Sequence, residues 1–183
     1  MKRCEWASND LEIEYHDKEW GRPVYDDKVL FEFLVLEGAQ AGLSWDTILK
    51  RRGGYKKIFS NFDYIKLSKL TNANLDEILE SPLIIRNKLK VYSVRTNAIA
   101  FIEVQKEFGS FSNYIWSFTD NKVIDNNPNN ISEILASTPL SEKISKDLKK
   151  RGFKFVGPTI VYAYMQAVGI VNDHIKDCWV RNI

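Results

Sequence analysis

SEKISKDLKKRGFKFVGPTIVYAYMQAVG, residues 141–169, decides the fold. Its first half predicts a helix. Ser141 suits an N-cap, Leu140, Ile144 and Leu148 recur every four residues on one face, and Gly152 supplies a stop. Its second half predicts another, opened by Pro158, whose missing N–H is no loss in a first turn. From Thr159 to Val168 only Thr159 and Gln166 are plainly polar, so this helix is expected to be buried nearly all round. The short connection from Gly152 to Gly157 makes the pair a hairpin of packed helices.

That hairpin carries chemistry. Gly157 lets a ligand approach the backbone closely. The helix start beside it offers unpaired N–H groups at the positive end of a dipole, a setting suited to phosphate. Lys143, Lys146, Lys149, Lys150, Arg151 and Lys154 stand around it against Glu142 and Asp147, six bases to two acids, a local charge of +4. A solvated basic helix joined to a core helix would account for the charge alone. The glycines flanking two apolar aromatics go further, and the stretch resembles the helix-hairpin-helix element of DNA repair glycosylases, which grips the phosphate backbone through hairpin amides.

The 183 residues allow one domain, or two tightly joined lobes, with a proper core. A hydrophobic content of 44% and five tryptophans exclude a disordered chain. The net charge of +2 is small but unevenly spread. Residues 1–40 carry ten acids and five bases, whereas residues 47–62 carry Lys50, Arg51, Arg52, Lys56 and Lys57 and no acid. A merely mixed surface could look this way, and so could a protein that meets a polyanion with one face. No apolar run reaches membrane-spanning length, and MKRCEWASND lacks the apolar region of a signal peptide. A cytoplasmic protein without a membrane partner is expected, with both cysteines reduced.

In chain order, residues 1–25 read as irregular, though rich in Cys4, Trp6, Tyr15, His16, Trp20 and Tyr25. From the cap Asp26 a strongly apolar helix is predicted to end near Glu37, followed by the turn AQAGLSW (39–45) and a basic helix from about Ser44 to Arg52. Residues 60–108 predict two or three amphipathic helices closed by Gly109. TDNKVIDNNPNN, residues 119–130, has loop composition. Nothing alternates at period two, so the fold is expected to be all-α.

The chain holds two cysteines, Cys4 and Cys178, and two histidines, His16 and His174. His174 and Cys178, four apart, face the same way on a helix or turn. Any one of them alone would read as an ordinary buried side chain. Together they are a complete tetrahedral set for structural zinc, tying the first segment to the last and leaving no open position.

Glu37 is out of place, a carboxylate directly after Phe33-Leu34-Val35-Leu36. It reads either as an exposed residue at a helix end or as a buried charge kept for a ligand. Gly38, Ala39, Ala41 and Gly42 leave space beside it, and Trp45, with Tyr15 and Trp20, offers broad rings. A carboxylate, a space and aromatics describe a receptor for a planar, electron-poor or cationic ring.

RCEWAS (3–8), EYHDKEWG (14–21), LEGAQAGLSW (36–45), SPLIIRNKLK (81–90), KKRGFKFVGPTI (149–160) and VNDHIKDC (171–178) together resemble, in order and over essentially the full chain, the 3-methyladenine DNA glycosylase I family, the Tag-type enzymes. The resemblance implies a helix-hairpin-helix glycosylase fold with structural zinc on Cys4, His16, His174 and Cys178. It implies a monomer acting on double-stranded DNA with alkylated bases and releasing free 3-methyladenine. Glu37 matches the base-recognising carboxylate and takes the catalytic assignment. Trp6, Tyr15, Trp20 and Trp45 match the base-binding aromatics. Gly42 and Leu43 match the loop that approaches the gap left by the extruded nucleotide, and Lys150, Lys154 and Gly157 the DNA-backbone contact. One departure stands out. Asp10-Leu11-Glu12 lacks the family's proline and puts Glu12 near an aromatic's place, which touches base preference more than reaction class.

The residue set suits the reaction. Alkylation at N3 makes adenine a cationic leaving group, so the protein must extrude, recognise and stabilise more than it must protonate. No lysine stands beside the pocket motifs, so a monofunctional hydrolase is expected. Asp173 lies in the direction of the aspartate by which related helix-hairpin-helix glycosylases assist the sugar, but its adjacency to His174 assigns it to the surroundings of the metal. A non-catalytic DNA-binding module would need no Glu37 facing aromatics. A zinc-dependent hydrolase would need an open metal position.

Overall fold

The structure, a computed structural model, describes residues 2–181. Its organising element is α2 (Asp27–Gln40), capped by the Asp26 side chain on the Val29 amide. Every residue from Leu30 to Ala39 is buried, so the helix runs through the centre with neighbours on all sides. It passes Glu37 by a full turn instead of ending there. Glu37 is therefore an interior residue of a buried helix, not an exposed end.

The hairpin forms as its spacing predicts. Helix α8 (Pro139–Lys150) buries Ile144 and Leu148 against α9 (Pro158–Ala167). Its cap is Thr138 rather than Ser141. Thr138 and Ser141 exchange side-chain and backbone hydrogen bonds in a capping box, with Pro139 filling the first helical position. Gly152, at φ +95°, turns the chain out of α8, and Ser145 Oγ donates to Val156 O at 2.6 Å to hold the connection down.

Among the described residues six more α-helices and one small strand pair complete the fold. Residues 1–25 are not irregular, for α1 (Asp10–Lys18) starts at Asn9, whose side chain accepts from the amides of Leu11 and Glu12. Its only buried residues are Tyr15 and His16, so it lacks the apolar stripe that announces a helix. The basic helix α3 (Trp45–Ile58) begins, as expected, at a Ser44 cap. The one-turn α4 (Tyr64–Leu67), α5 (Asn72–Leu79) and α6 (Lys88–Phe108) occupy the amphipathic region, and Gly109 ends α6 at φ +83°. After α7 (Phe111–Ser117), the asparagine-rich stretch departs from pure loop. There β1 (Ile124–Asp125) pairs in parallel with β2 (Val171–Asn172). The core between α2, α6 and α7 is aromatic, with Phe101 and Phe111 stacked at 4.2 Å. No helix among the described residues is long and apolar enough to cross a membrane.

Gly54 shows packing overriding propensity. In a helix, alanine is usually better than glycine by roughly 0.5–1 kcal/mol. Here an added Cβ would collide with the Leu83 carbonyl of the 81–85 loop lying on α3. Gly54→Ala should therefore lower stability, by about 1–3 kcal/mol as for other overpacked sites. Urea denaturation measures this, and an unchanged or raised midpoint would show that the loop yields.

Candidate functional site

A cavity of about 310 Å3 opens between α1, α2, the start of α3 and α9. Trp6, Tyr15, Trp20, Glu37 and Trp45 all line it. Tyr15 and Trp45 lie 5.2 Å apart between ring centroids, and Trp6 meets Trp20 edge-on at 5.0 Å. Three polar atoms buried in lining residues have no hydrogen-bond partner: Tyr15 Oη, Glu37 Oε2 and Trp45 Nε1. Buried polar groups are nearly always satisfied, so three open ones around one space mark where a ligand's own donors and acceptors belong. Burial pushes the Glu37 carboxyl up to about 8 and, with the Glu37 charge, raises the Tyr15 hydroxyl well above its usual range.

The position of these groups follows from local sequence. Asn9 caps α1 and its side-chain amide reaches Asp46 of α3 at 3.1 Å, so α1 lies across the mouth of α3. Arg52 then locks the arrangement. It holds both Glu19 carboxylate oxygens at 2.8 Å and Glu32 at 2.7 Å, with its guanidinium 5.3 Å from the Phe33 ring centre. Five lining residues lie outside the expectation: Gln40, Ala163, Gln166, Ile131 and Ile134. Gln166 was visible as a polar residue in the apolar run of α9. Nothing marked the two isoleucines near the asparagine-rich stretch.

Behind the Trp6–Trp20 wall, Cys4, His16 and Cys178 are all buried, with ligand-capable atoms within 4.8 Å of one another, a group that could bind a metal. His16 Nδ1 bonds Asp17 Oδ1 at 2.8 Å, which directs Nε2 to the group, 3.5 Å from Cys178 Sγ. His174 is outside that three-residue group, yet its ring centre lies 5.0 Å from that of His16. Its Nδ1 bonds Asn172 Oδ1 at 3.0 Å and its buried Nε2 has no partner. Burial, with the charges of His16 and Arg181 next in effect, pulls its pKa down to about 4, so the ring stays neutral. Gly21, at φ +74°, is required beside it, because any Cβ there would run into the imidazole.

The DNA-facing candidates are also placed. Gly42, at φ +78°, and Leu43 form an exposed turn after α2. Lys150 and Lys154 are exposed, and Gly157 begins α9 without a side-chain cap on the opening amides. Two of the hairpin's donors are spent elsewhere. The Lys154 amide donates to Asn97 Oδ1 at 2.8 Å, and Arg151 is taken up by Asp147 and Glu107.

Comparison with known proteins agrees with this geometry. Residues 6–182 match the Methyladenine glycosylase family. The chain belongs to that family. It is 44% identical over 179 residues to DNA-3-methyladenine glycosylase 1 of Escherichia coli, covering 97% of this chain and 96% of that one. It is 43% identical to DNA-3-methyladenine glycosylase of Haemophilus influenzae, covering 96% of each. A crystal structure of a 3-methyladenine DNA glycosylase I variant in complex with 3-methyladenine superposes with a TM-score of 0.97 at 33% identity, covering 100% of this chain and 99% of that one.

One residue of this methyladenine glycosylase, Asp173, sits differently from expectation, while Glu12 stands in the pocket wall where its place in the sequence put it. Asp173 is not a partner of the His174 ring. Its carboxylate accepts from Tyr162 Oη at 2.7 Å, Asn126 Nδ2 at 2.7 Å and Gln166 Nε2 at 2.8 Å, orienting a lining residue of the cavity. Glu12 does line the cavity, with Oε2 drawn back onto the Ser8 amide and hydroxyl.

Glu37 gives this methyladenine glycosylase a measurable pH signature. Its proton leaves near 4.5 in the unfolded chain but only near 8 in the folded one. Between those values the folded state holds the extra proton, so the stability due to the neutral carboxyl falls as pH rises through the window. From about pH 5 to about pH 8 the melting temperature of the wild type should fall relative to Glu37→Gln. A difference independent of pH would mean that Glu37 is not desolvated.

Proposed function

We propose that the cavity receives the extruded base of an alkylated nucleotide in double-stranded DNA. The chain hydrolyses the N-glycosidic bond of 3-methyladenine in alkylated DNA, the first step of base excision repair. The observation that carries the site is the trio of unpaired polar atoms, on Tyr15, Glu37 and Trp45, around one aromatic-walled space.

In the reaction the bond from the sugar C1′ to the base breaks with its electron pair moving onto the purine, which neutralises the alkylated ring. Water adds to C1′ and loses a proton. Glu37 opposes the positive ring, accepts from its edge and becomes ionised as the cation enters, because the ring supplies the counter-charge that burial denies it. Trp45 and Tyr15 supply the faces against which the ring lies. No lysine lines the cavity among the described residues, which supports plain hydrolysis without a Schiff base. Gly42 and Leu43 meet the space the nucleotide leaves, while Lys150, Lys154 and the uncapped start of α9 at Gly157 meet phosphate.

Structural zinc fits the closed donor set of Cys4, His16, His174 and Cys178, given the open Nε2 of His174 and the directed Nε2 of His16. Bound there, it would tie the chain's ends together behind the pocket wall.

Two measurements test this reading. Purified protein should release free 3-methyladenine from methylated DNA, and Glu37→Gln should bind the free base more weakly by about 1.5–3 kcal/mol, the worth of a charge-assisted hydrogen bond. Fluorescence of Trp45 during titration reads the affinity, and equal affinity in the variant would remove Glu37 from the site. Metal analysis should find about one zinc per chain. Cys178→Ser should lower thermal stability more than base affinity, and a zinc-free protein of undiminished stability would refute the metal.

A further inference from the structure

Helix α2 ends with a cation that its own sequence does not provide. No basic residue stands in its last turn. Its closing carbonyls nevertheless both accept from the Lys90 ammonium of α6, Ala39 O at 2.8 Å and Ala41 O at 2.6 Å. Lys90 makes no ion pair with a carboxylate among the described residues, and burial lowers its pKa. A part-buried ammonium without a counter-charge is unfavourable unless the carbonyls and the negative end of the helix dipole offset it. Beyond this anchor the chain is bare. Gly42 turns through φ +78° with open space where a Cβ would stand, and Leu43 is 40% exposed. An apolar residue held at the tip of a pinned turn adds nothing to the core.

The same helix holds the other DNA-facing element. Asn97, seven residues and two turns along α6, accepts from the Lys154 amide at 2.8 Å and donates to the Lys154 carbonyl at 3.1 Å. One helix thus fixes the hairpin at one point and the Gly42–Leu43 turn at another.

We propose that Lys90 is a positioning residue for base excision, fixing residues 39–43 so that Leu43 meets the duplex stack as a preformed wedge. This rests on the reading of Gly42 and Leu43 as the DNA-inserting turn. A wedge already ordered in the free protein loses less conformational freedom when it enters DNA. Lys90 does not line the base cavity, so its effect should be confined to bases that must first be extruded.

The test compares Lys90→Met, Lys90→Arg, Leu43→Ala and the double variant Lys90→Met/Leu43→Ala. The readouts are release of 3-methyladenine from methylated duplex DNA and binding of free 3-methyladenine. Lys90→Met should lower kcat/KM on duplex on the order of tenfold to a hundredfold, as displaced groups do, and leave free-base affinity unchanged. Lys90→Arg should recover most of the loss. In the Leu43→Ala background, Lys90→Met should add nothing further. Additive losses, or a matching loss of free-base affinity, would overturn the proposal. Leu43→Ala with full duplex activity would refute the inserting turn itself. An impaired Leu43→Ala beside an unimpaired Lys90→Met would refute only the anchor. Should Lys90→Met fold poorly, amide hydrogen exchange in Lys90→Gln decides. Faster exchange confined to the 39–43 turn is expected, and unchanged exchange overturns the proposal.

Discussion

A carboxyl group kept out of water with no partner is the constraint around which this molecule is arranged. Glu37 lies on the most buried helix, and each pH unit by which its pKa is displaced represents about 1.4 kcal/mol set against its ionised form. Such a group survives only where its surroundings cannot relax to hydrate or satisfy it. That rigidity has visible sources. Arg52 bridges α1, α2 and α3 by bonding Glu19 and Glu32 while lying over Phe33. Removing Arg52 would strip Glu19 of its partner and leave Glu32 only Lys56, so this one guanidinium holds the three helices in their relative places. The Tyr15 and Trp45 faces keep their 5.2 Å separation as a consequence.

The cysteine–histidine group works on the same wall from behind. His16 stacks on Trp20 at 5.9 Å, and the His174 ring meets Trp20 edge-on at 4.6 Å. Trp20 and Trp6 therefore separate the aromatic-walled cavity from the metal-capable group by one layer of rings. Whatever orders the histidines also orders the pocket, without any donor facing the substrate space. A metal bound there, as proposed, would act on the pocket through this ring layer.

The sequence displays the parts of this design that depend on short-range chemistry. Pro158, Gly152 and the Ile144–Leu148 spacing mark the hairpin because caps and stops act within a turn. Glu37 was conspicuous because a charge directly after four apolar residues contradicts the pattern around it. Helix α1 was not legible, since it buries Tyr15 and His16 for the site and carries no core stripe. The Thr138 cap was hidden by a second good capper, Ser141, three residues on. Asp173 was misassigned because adjacency in sequence says nothing of direction. Its carboxylate points to Tyr162, Asn126 and Gln166, whereas Asn172 holds the histidine. The Ile131 and Ile134 edge depends on long-range folding of a stretch whose composition reads only as turn.

The hairpin and the helix turn that carries Glu37 are mechanically joined at one residue. Gly38 follows Glu37, and a Cβ built on it would stand 3.2 Å from Phe155 Cβ, tighter than ordinary contact. Phe155 takes φ +56°, an uncommon conformation for a bulky residue, at the turn of the hairpin. That conformation persists because the structure fixes it on both sides, with Asn97 clamping Lys154 before it and Ser145 holding Val156 after it. The hairpin's apex is therefore pressed against the helix turn that bears Glu37. A shift of the hairpin on the DNA backbone would be transmitted to Glu37 through packed atoms rather than through a flexible link. The reverse also holds, so the distance from the hairpin to the Glu37 cavity is a property of the fold.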